Sequence, residues 1–206
     1  MFFKRLQTGV YAVNCYILAD EKTKEAVVVD PGGDLDDIVA ILQKEELAVR
    51  YILLTHGHGD HIGALEDLKQ LTGALVGIHS NDADMLADPA KNLSPQTSGR
   101  AIAMTADLLL EEGQVISFGG CSVTVIHTPG HTRGGVCYKA EDFVITGDTL
   151  FRASVGRSDL HGGNHDQLVK SIKTKLLTLP GETEVYPGHG AGSTIAYEKK
   201  ANPYVR

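Results

Sequence analysis

A chain of 206 residues, 42% hydrophobic and 22% charged, has room for one sizeable core, so a single domain over 1–206 is expected. Its net charge of −7 argues against a nucleic-acid partner. No apolar run reaches the roughly 18 residues of a membrane span, and no signal-peptide pattern opens the chain, so no membrane partner and a cytoplasmic location are expected. Cys15, Cys121 and Cys137 are widely spaced, form no Cys-x-x-Cys pair, and read as reduced thiols.

In chain order, Phe2–Leu6, Val13–Ala19 and Glu25–Val29 read as strands, with Asp20–Lys24 as a polar hairpin loop. Asp30-Pro31-Gly32-Gly33 ends the third strand. Asp34 is placed to N-cap a helix Leu35–Glu45, whose Leu35, Ile38, Val39, Ile41 and Leu42 keep helical spacing. A buried strand Val49–Leu54 follows, then a histidine-rich turn and a helix running to Leu71 with Gly73 in its C-cap region. Next come a short strand Ala74–His79 and a short helix Asn81–Leu86. Asp88–Ala106 has no clear periodicity and two prolines, which suits a binding loop or a surface insertion. Strands are predicted at Val115–Phe118, Ser122–His127, Gly135–Lys139 and Phe143–Thr146, then a helix at Asp166–Leu177. A strand at Thr183–Tyr186 and a helix at Ser193–Ala201 close the chain. Runs of strands followed by helices in each half predict an α/β (α+β) fold of two mixed sheets packed face to face with helices outside. An open doubly wound sheet is the alternative.

The turn after the fourth strand is Thr55-His56-Gly57-His58-Gly59-Asp60-His61. Gly57 and Gly59 let the backbone bend so that three imidazoles and a carboxylate converge. Imidazole and carboxylate are the usual ligands of zinc and non-haem iron. Three later turns share its form, an apolar strand ending in a glycine-flanked ligand residue: His131 in Thr128-Pro129-Gly130-His131, Asp148 in Thr146-Gly147-Asp148-Thr149, and His189 in Pro187-Gly188-His189-Gly190. Seven candidates are too many for one tetrahedral site that keeps an open position. His56, His58 and His131 for one ion and Asp60, His61 and His189 for another use six of them. Asp148, with two oxygens, can bridge. Two divalent metal ions are therefore expected, zinc first, with iron or manganese as alternatives. A ligating histidine is usually fixed through its other ring nitrogen, and Asp30 is the first candidate for that role, Thr55 and Thr149 the next. His79, His127, His161 and His165 are read as non-ligands.

Through Thr-His-x-His-x-Asp-His, Thr-Pro-Gly-His-Thr, Gly-Asp-Thr-Leu-Phe and Pro-Gly-His-Gly, in that order, the chain resembles the metallo-β-lactamase fold superfamily. Within it, Asp30-Pro31-Gly32-Gly33, Gly156-Arg157-Ser158-Asp159-Leu160, Gly162-Gly163-Asn164 and Asn202-Pro203-Tyr204 are similar to the short members of the type II glyoxalase (hydroxyacylglutathione hydrolase) group. The resemblance spans nearly the whole chain. It implies a four-layer αββα sandwich with two metals at one edge, and it carries over the ligand assignment above. Longer type II glyoxalases continue into a helical domain that helps bind glutathione. Only 17 residues follow His189, so that domain is expected to be missing. Arg157 stands where the longer enzymes have a lysine at the thiol carrier's carboxylate, which makes it a candidate anchor for an anionic substrate.

The function this implies is hydrolysis of a small-molecule thioester such as S-lactoylglutathione by a metal-bound hydroxide, with Asp60 and Asp148 as the catalytic carboxylates. A thiolate leaves without a strong general acid, because a free thiol has a pKa of about 8.5. The alternatives are a persulfide dioxygenase with one iron on His56, His131 and Asp148, and a lactonase of the same fold. Monomer and homodimer fit the sequence equally.

Overall fold

The computed structural model describes residues 1–205. Its first sheet has six strands whose spatial order follows the chain: β1 (Phe2–Thr8), β2 (Val13–Ala19), β3 (Glu25–Val29), β4 (Ala48–Leu53), β5 (Leu75–His79) and β6 (Leu108–Leu110). Pairing is antiparallel from β1 to β3 and parallel from β3 to β6. The second half of the chain supplies β7 (Val115–Phe118), β8 (Cys121–His127), β9 (Val136–Lys139), β10 (Phe143–Gly147), a small hairpin of β11 (Leu150–Phe151) and β12 (Ser154–Val155), and then β13 (Glu184–Pro187) and β14 (Ser193–Thr194). Outside the hairpin these make a second six-stranded sheet in the order β14-β13-β10-β9-β8-β7, with β10 and β13 parallel. The helices are α1 (Leu35–Lys44), α2 (Leu65–Thr72), three short ones, α3 (Ala83–Leu86), α4 (Pro89–Asn92) and α5 (Ser94–Thr97), then α6 (His165–Ser171) and α7 (Ile195–Ala201).

Three apolar layers separate four layers of structure. Cys15, Ile17, Val28, Ile52 and Val76 of the first sheet pack on Ile38 and Leu42 of α1 and Leu65 and Leu68 of α2. Tyr16, Leu18, Val27, Val29 and Leu53 meet Phe118, Val123, Val125, Tyr138 and Ile145 between the sheets. Val144 and Val185 pack outward against Leu168 of α6, Ile172 beyond it and Ile195 of α7. Because both faces of β2 are covered, alternate residues serve different layers and the strand is buried throughout, so it reads as one apolar run rather than an alternating one. Each buried Leu, Ile or Val contributes roughly 1.5–3 kcal/mol. The architecture is the αββα sandwich of two mixed sheets, and the open doubly wound alternative is set aside.

Several local expectations are corrected. Asp34 occupies the position before α1 with φ of 48°, but its carboxylate accepts from Gly9 N at 2.9 Å rather than from the helix. The stretch 88–106 is not irregular throughout. Asp88 caps α4 by accepting from Ala90 N, and α5 follows after Leu93 turns left-handed at φ of 62°. Strands β6, β11 and β12 lie outside the predicted strands, because two- and three-residue strands carry too little pattern to be read. Ser193-Thr194, expected in the last helix, pairs with β13 instead, and Thr194 then caps α7 by accepting from Tyr197 N. The predicted helix Asp166–Leu177 begins at His165 and passes from α to π winding over Ile172–Leu176. No described helix is long and apolar enough to cross a membrane.

Candidate metal centre

Each ligand loop leaves the C-terminal end of a strand, where open sheets place their ligands. The His56–His61 turn follows β4, His131 follows β8, Asp148 follows β10 and His189 follows β13. Two tyrosines cross the sandwich to hold these ends. Tyr16 of the first sheet donates to Pro187 O at 2.6 Å, just before His189, and Tyr138 of the second sheet donates to Leu54 O at 2.6 Å, just before His56. Gly59 is needed for space rather than backbone freedom, since a Cβ there would lie 2.3 Å from Thr97 Oγ1.

The hydrogen bonds assign the tautomers of four imidazoles. Thr55 Oγ1 donates its one proton to Asp30 Oδ2 at 2.6 Å, so toward His56 Nδ1, 3.0 Å away, it can only accept. His61 Nδ1 is 2.9 Å from Asp30 Oδ2, His131 Nδ1 is 2.7 Å from Arg157 O, and His189 Nδ1 is 3.1 Å from Tyr11 O. Every one of these partners is an acceptor, so every Nδ1 carries hydrogen and every Nε2 faces inward, where it offers a lone pair in the neutral ring. The Nε2 atoms of His56 and His131 stand 3.2 Å apart, and His58 Nδ1 is 2.9 Å from His131 Nε2. Ligand atoms on a tetrahedral zinc with bonds of 2.0–2.1 Å are separated by about 3.3 Å. His61 Nε2 lies 3.4 Å from Asp148 Oδ1 and 3.8 Å from Asp60 Oδ2, and His189 Nε2 lies 3.4 Å from Asp60 Oδ2. His58 Nε2, His61 Nε2 and Asp148 Oδ1 are buried and lack any hydrogen-bond partner. Imidazole nitrogens and carboxylate oxygens converging at these separations, with buried members that lack a hydrogen-bond partner, make a donor set that fits divalent metals.

Three sets of ligand atoms fall within 4.8 Å of one another: His56 with His58 and His131, His56 with His61 and Asp148, and Asp60 with His61 and His189. Asp148 faces both sides, with Oδ1 toward His61 and Oδ2 3.7 Å from His131 and 3.6 Å from His189. Burial and the neighbouring imidazoles hold the His56 pKa well below the usual range and take His58 down to about 3. Burial acts the same way on His61, but the Asp148, Asp30 and Asp60 carboxylates outweigh it and hold that pKa well above the usual range. His189 is raised too, burial being outweighed by its contact with Asp60 and the Asp148 charge. Asp60 and Asp148 are both lowered, since the adjacent imidazoles overcome the cost of their burial.

Asp30 and Thr55 lie where the sequence reading places bracing groups. Asp30 accepts from Thr55 N at 2.8 Å as well as from Thr55 Oγ1, and it joins His61 directly. Thr149 does not brace a ligand. Its hydroxyl meets Thr128 Oγ1 at 2.9 Å while its own amide bonds Thr146 O, which turns it away from the cluster. Among the non-ligands, His127 stacks on His79 at 3.9 Å and its Nε2 reaches Arg133 O at 2.9 Å. The carbonyls of Arg157 and Tyr11 were invisible to sequence reading, because every residue has a carbonyl. Asn14 left a trace, a polar side chain inside a buried strand. It donates to Pro187 O at 2.8 Å and Gly190 O at 3.0 Å, on both sides of His189.

A cavity of ≈350 Å3 opens over the cluster. Asn92, Leu93, Gln96 and Thr97, from the stretch read as a possible binding loop, line it together with Tyr11, Arg157 and Leu160. Arg157 is exposed and makes a two-pronged pair with Asp159 at 2.8 and 2.9 Å.

The family model of the metallo-beta-lactamase superfamily matches residues 8–189. The probable metallo-hydrolase YqgX of Bacillus subtilis is 38% identical over 100% of this chain and 98% of its own. Hydroxyacylglutathione hydrolase GloC of Haemophilus influenzae is 34% identical over 93% of this chain and 92% of its own. Among solved structures, the BLEG-1 B3 metallo-beta-lactamase superposes with a TM-score of 0.92 at 40% identity, covering 99% of both chains. TTHA1623 in a di-iron-bound form gives 0.85 at 36% identity, covering 99% of this chain and 100% of its own. ETHE1 from Myxococcus xanthus gives 0.84 at 32% identity, covering 98% and 84%. The chain belongs to the metallo-beta-lactamase superfamily.

Proposed function

We propose that the protein hydrolyses the thioester of a low-molecular-weight thiol, using two divalent metals held by His56, His58 and His131 on one side, Asp60, His61 and His189 on the other, and Asp148 between them. The observation that carries this reading is the set of four inward Nε2 lone pairs converging with two carboxylates beneath an open cavity. When bound, two such metals supply Lewis acidity and a nucleophile drawn from water near neutral pH.

The protein's own groups narrow the substrate. Asp60 and Asp148 stay ionised, so at the cavity floor they orient water or accept a proton and do not protonate a leaving group. The remaining lining side chains are amides, leucines, Thr97, Arg157 and the Tyr11 phenol, and none of them is a carboxylic acid. A thiolate needs none, because a free thiol ionises near pH 8.5. The similarity to GloC, named a hydroxyacylglutathione hydrolase, points the same way. Zinc is the first choice of metal, and the di-iron form of TTHA1623 makes iron the second. Arg157 would anchor an anionic arm of the thiol carrier by exchanging Asp159 for a substrate carboxylate.

Turnover of a panel of acyl thioesters, lactoylglutathione included, with metal content measured on the same sample, tests the reading. Hydrolysis with two metals per chain is the expected result. One iron per chain with oxygen consumed on glutathione persulfide would replace it with the dioxygenase reading on His56, His131 and Asp148. Uniformly poor thioester rates with ready lactone opening would replace it with the lactonase.

A further inference from the structure

A second buried carboxylate lies behind the cluster, and the chemistry described so far does not use it. Asp82 is 1% exposed and sits in the 3-10 turn before α3. Its Oδ1 accepts from Gly134 N at 2.6 Å, and its Oδ2 accepts from Thr132 Oγ1 at 2.7 Å and from Gly57 N at 3.3 Å. Gly57 separates His56 from His58, and Thr132 directly follows His131. One side chain therefore ties together the two loops that carry the three-histidine group. The fit is close: a Cβ on Gly134 would lie 2.6 Å from Asp82 N, and one on Gly57 would lie 3.1 Å from the Met85 side chain, one turn further along the same segment. The carboxylate already described, Asp30, bonds His61 and reaches His56 only through Thr55.

We propose that Asp82 is a positioning residue for the His56–His58–His131 group alone, setting the separation of its two loops and hence the geometry offered to the first metal. A carboxylate suits this role because its two oxygens accept from three donors in different directions, whereas an amide presents one oxygen. The proposal rests on the reading of the cluster as a two-metal site. It predicts that losing Asp82 weakens the three-histidine ion and spares the ion at His61, whereas Asp30, which bonds His61 and reaches His56 through Thr55, acts on both.

The test is a Co2+ titration of metal-free wild type, Asp82→Asn, Thr132→Val and Asp30→Asn, followed by the visible absorption of the bound ion, with circular dichroism to confirm folding. Wild type should bind two ions. Asp82→Asn should lose at least about tenfold in affinity for one of them, as removal of a supporting hydrogen bond does. The spectrum it retains should be that of the Asp60–His61–His189 ion. Thr132→Val, which removes one of the three donors, should shift the same spectrum by less, and Asp30→Asn should weaken both ions, since Asp30 bonds His61 and reaches His56 through Thr55. If Asp82→Asn fails to fold, Thr132→Val alone decides. Two ions bound by folded Asp82→Asn with wild-type affinity and spectrum would overturn the proposal, as would an unaltered Thr132→Val spectrum. Wild type that binds a single ion would instead overturn the two-metal reading beneath it.

Discussion

The two ligand groups sit side by side but are built from opposite electrostatics. His56, His58 and His131 are 1%, 5% and 3% exposed, and burial with imidazole neighbours keeps His56 and His58 neutral. Asp60 and His189 are more open, with 17% and 29% of their side chains exposed, and carboxylates pull His61 and His189 toward the charged form. The first group is three closely buried imidazoles, while the second mixes imidazoles with a carboxylate and gives the cavity a more exposed rim at Asp60 and His189. On the two-metal proposal, a cation at the first would be held by lone pairs in fixed positions, and one at the second chiefly by charge, in a place where a proton competes for the same carboxylates. Asp148 touches both, so it sets how far the two behave as one site.

Removing that link should have the largest effect. Asp148→Ala is expected to lower bound metal and turnover together, by more than the roughly 10–100-fold typical of losing a supporting partner. Metal analysis and kinetics on one sample check it, and full turnover in this variant would remove the bridging role. His61→Ala breaks only the rim. Bound metal should fall from two ions to one, with activity down by more than about tenfold. Unchanged activity would make the working site mononuclear and dissolve the comparison. The mildest probe leaves the sequence intact: imidazole nitrogen shifts followed against pH in the metal-free protein. His58 should stay neutral until about pH 3, while His61 and His189 should hold their protons above the usual histidine range. As pH falls, protons therefore fill the rim first, and the rim ion should be the first released by acid.

Much of this was legible beforehand. The seven candidate ligands announce themselves because they lie in glycine-rich turns that close four apolar strands, a pattern carried by neighbours in the chain. Asp30 was legible for the same reason, as the carboxylate that ends β3. Asp82 was not, because nothing in Ser80-Asn81-Asp82-Ala83 distinguishes a keystone from a surface carboxylate. Its three donors come from positions 25, 50 and 52 residues away, and only folding brings them together. Thr149 was misread by the converse error, since adjacency to Asp148 in sequence did not become contact with a ligand.

The sequence alone determined the layers and the donors. Strands buried on both faces, helices with one apolar face, and seven candidate metal-ligating side chains at strand ends are all local patterns. The tertiary structure decided which donor meets which and which ring nitrogen faces inward. It also showed that Arg157 is paired with Asp159 and contributes a backbone carbonyl to His131. The physical reason is that a tautomer is set by the partner on the far nitrogen, and here those partners are a hydroxyl, a carboxylate and two carbonyls drawn from distant parts of the chain.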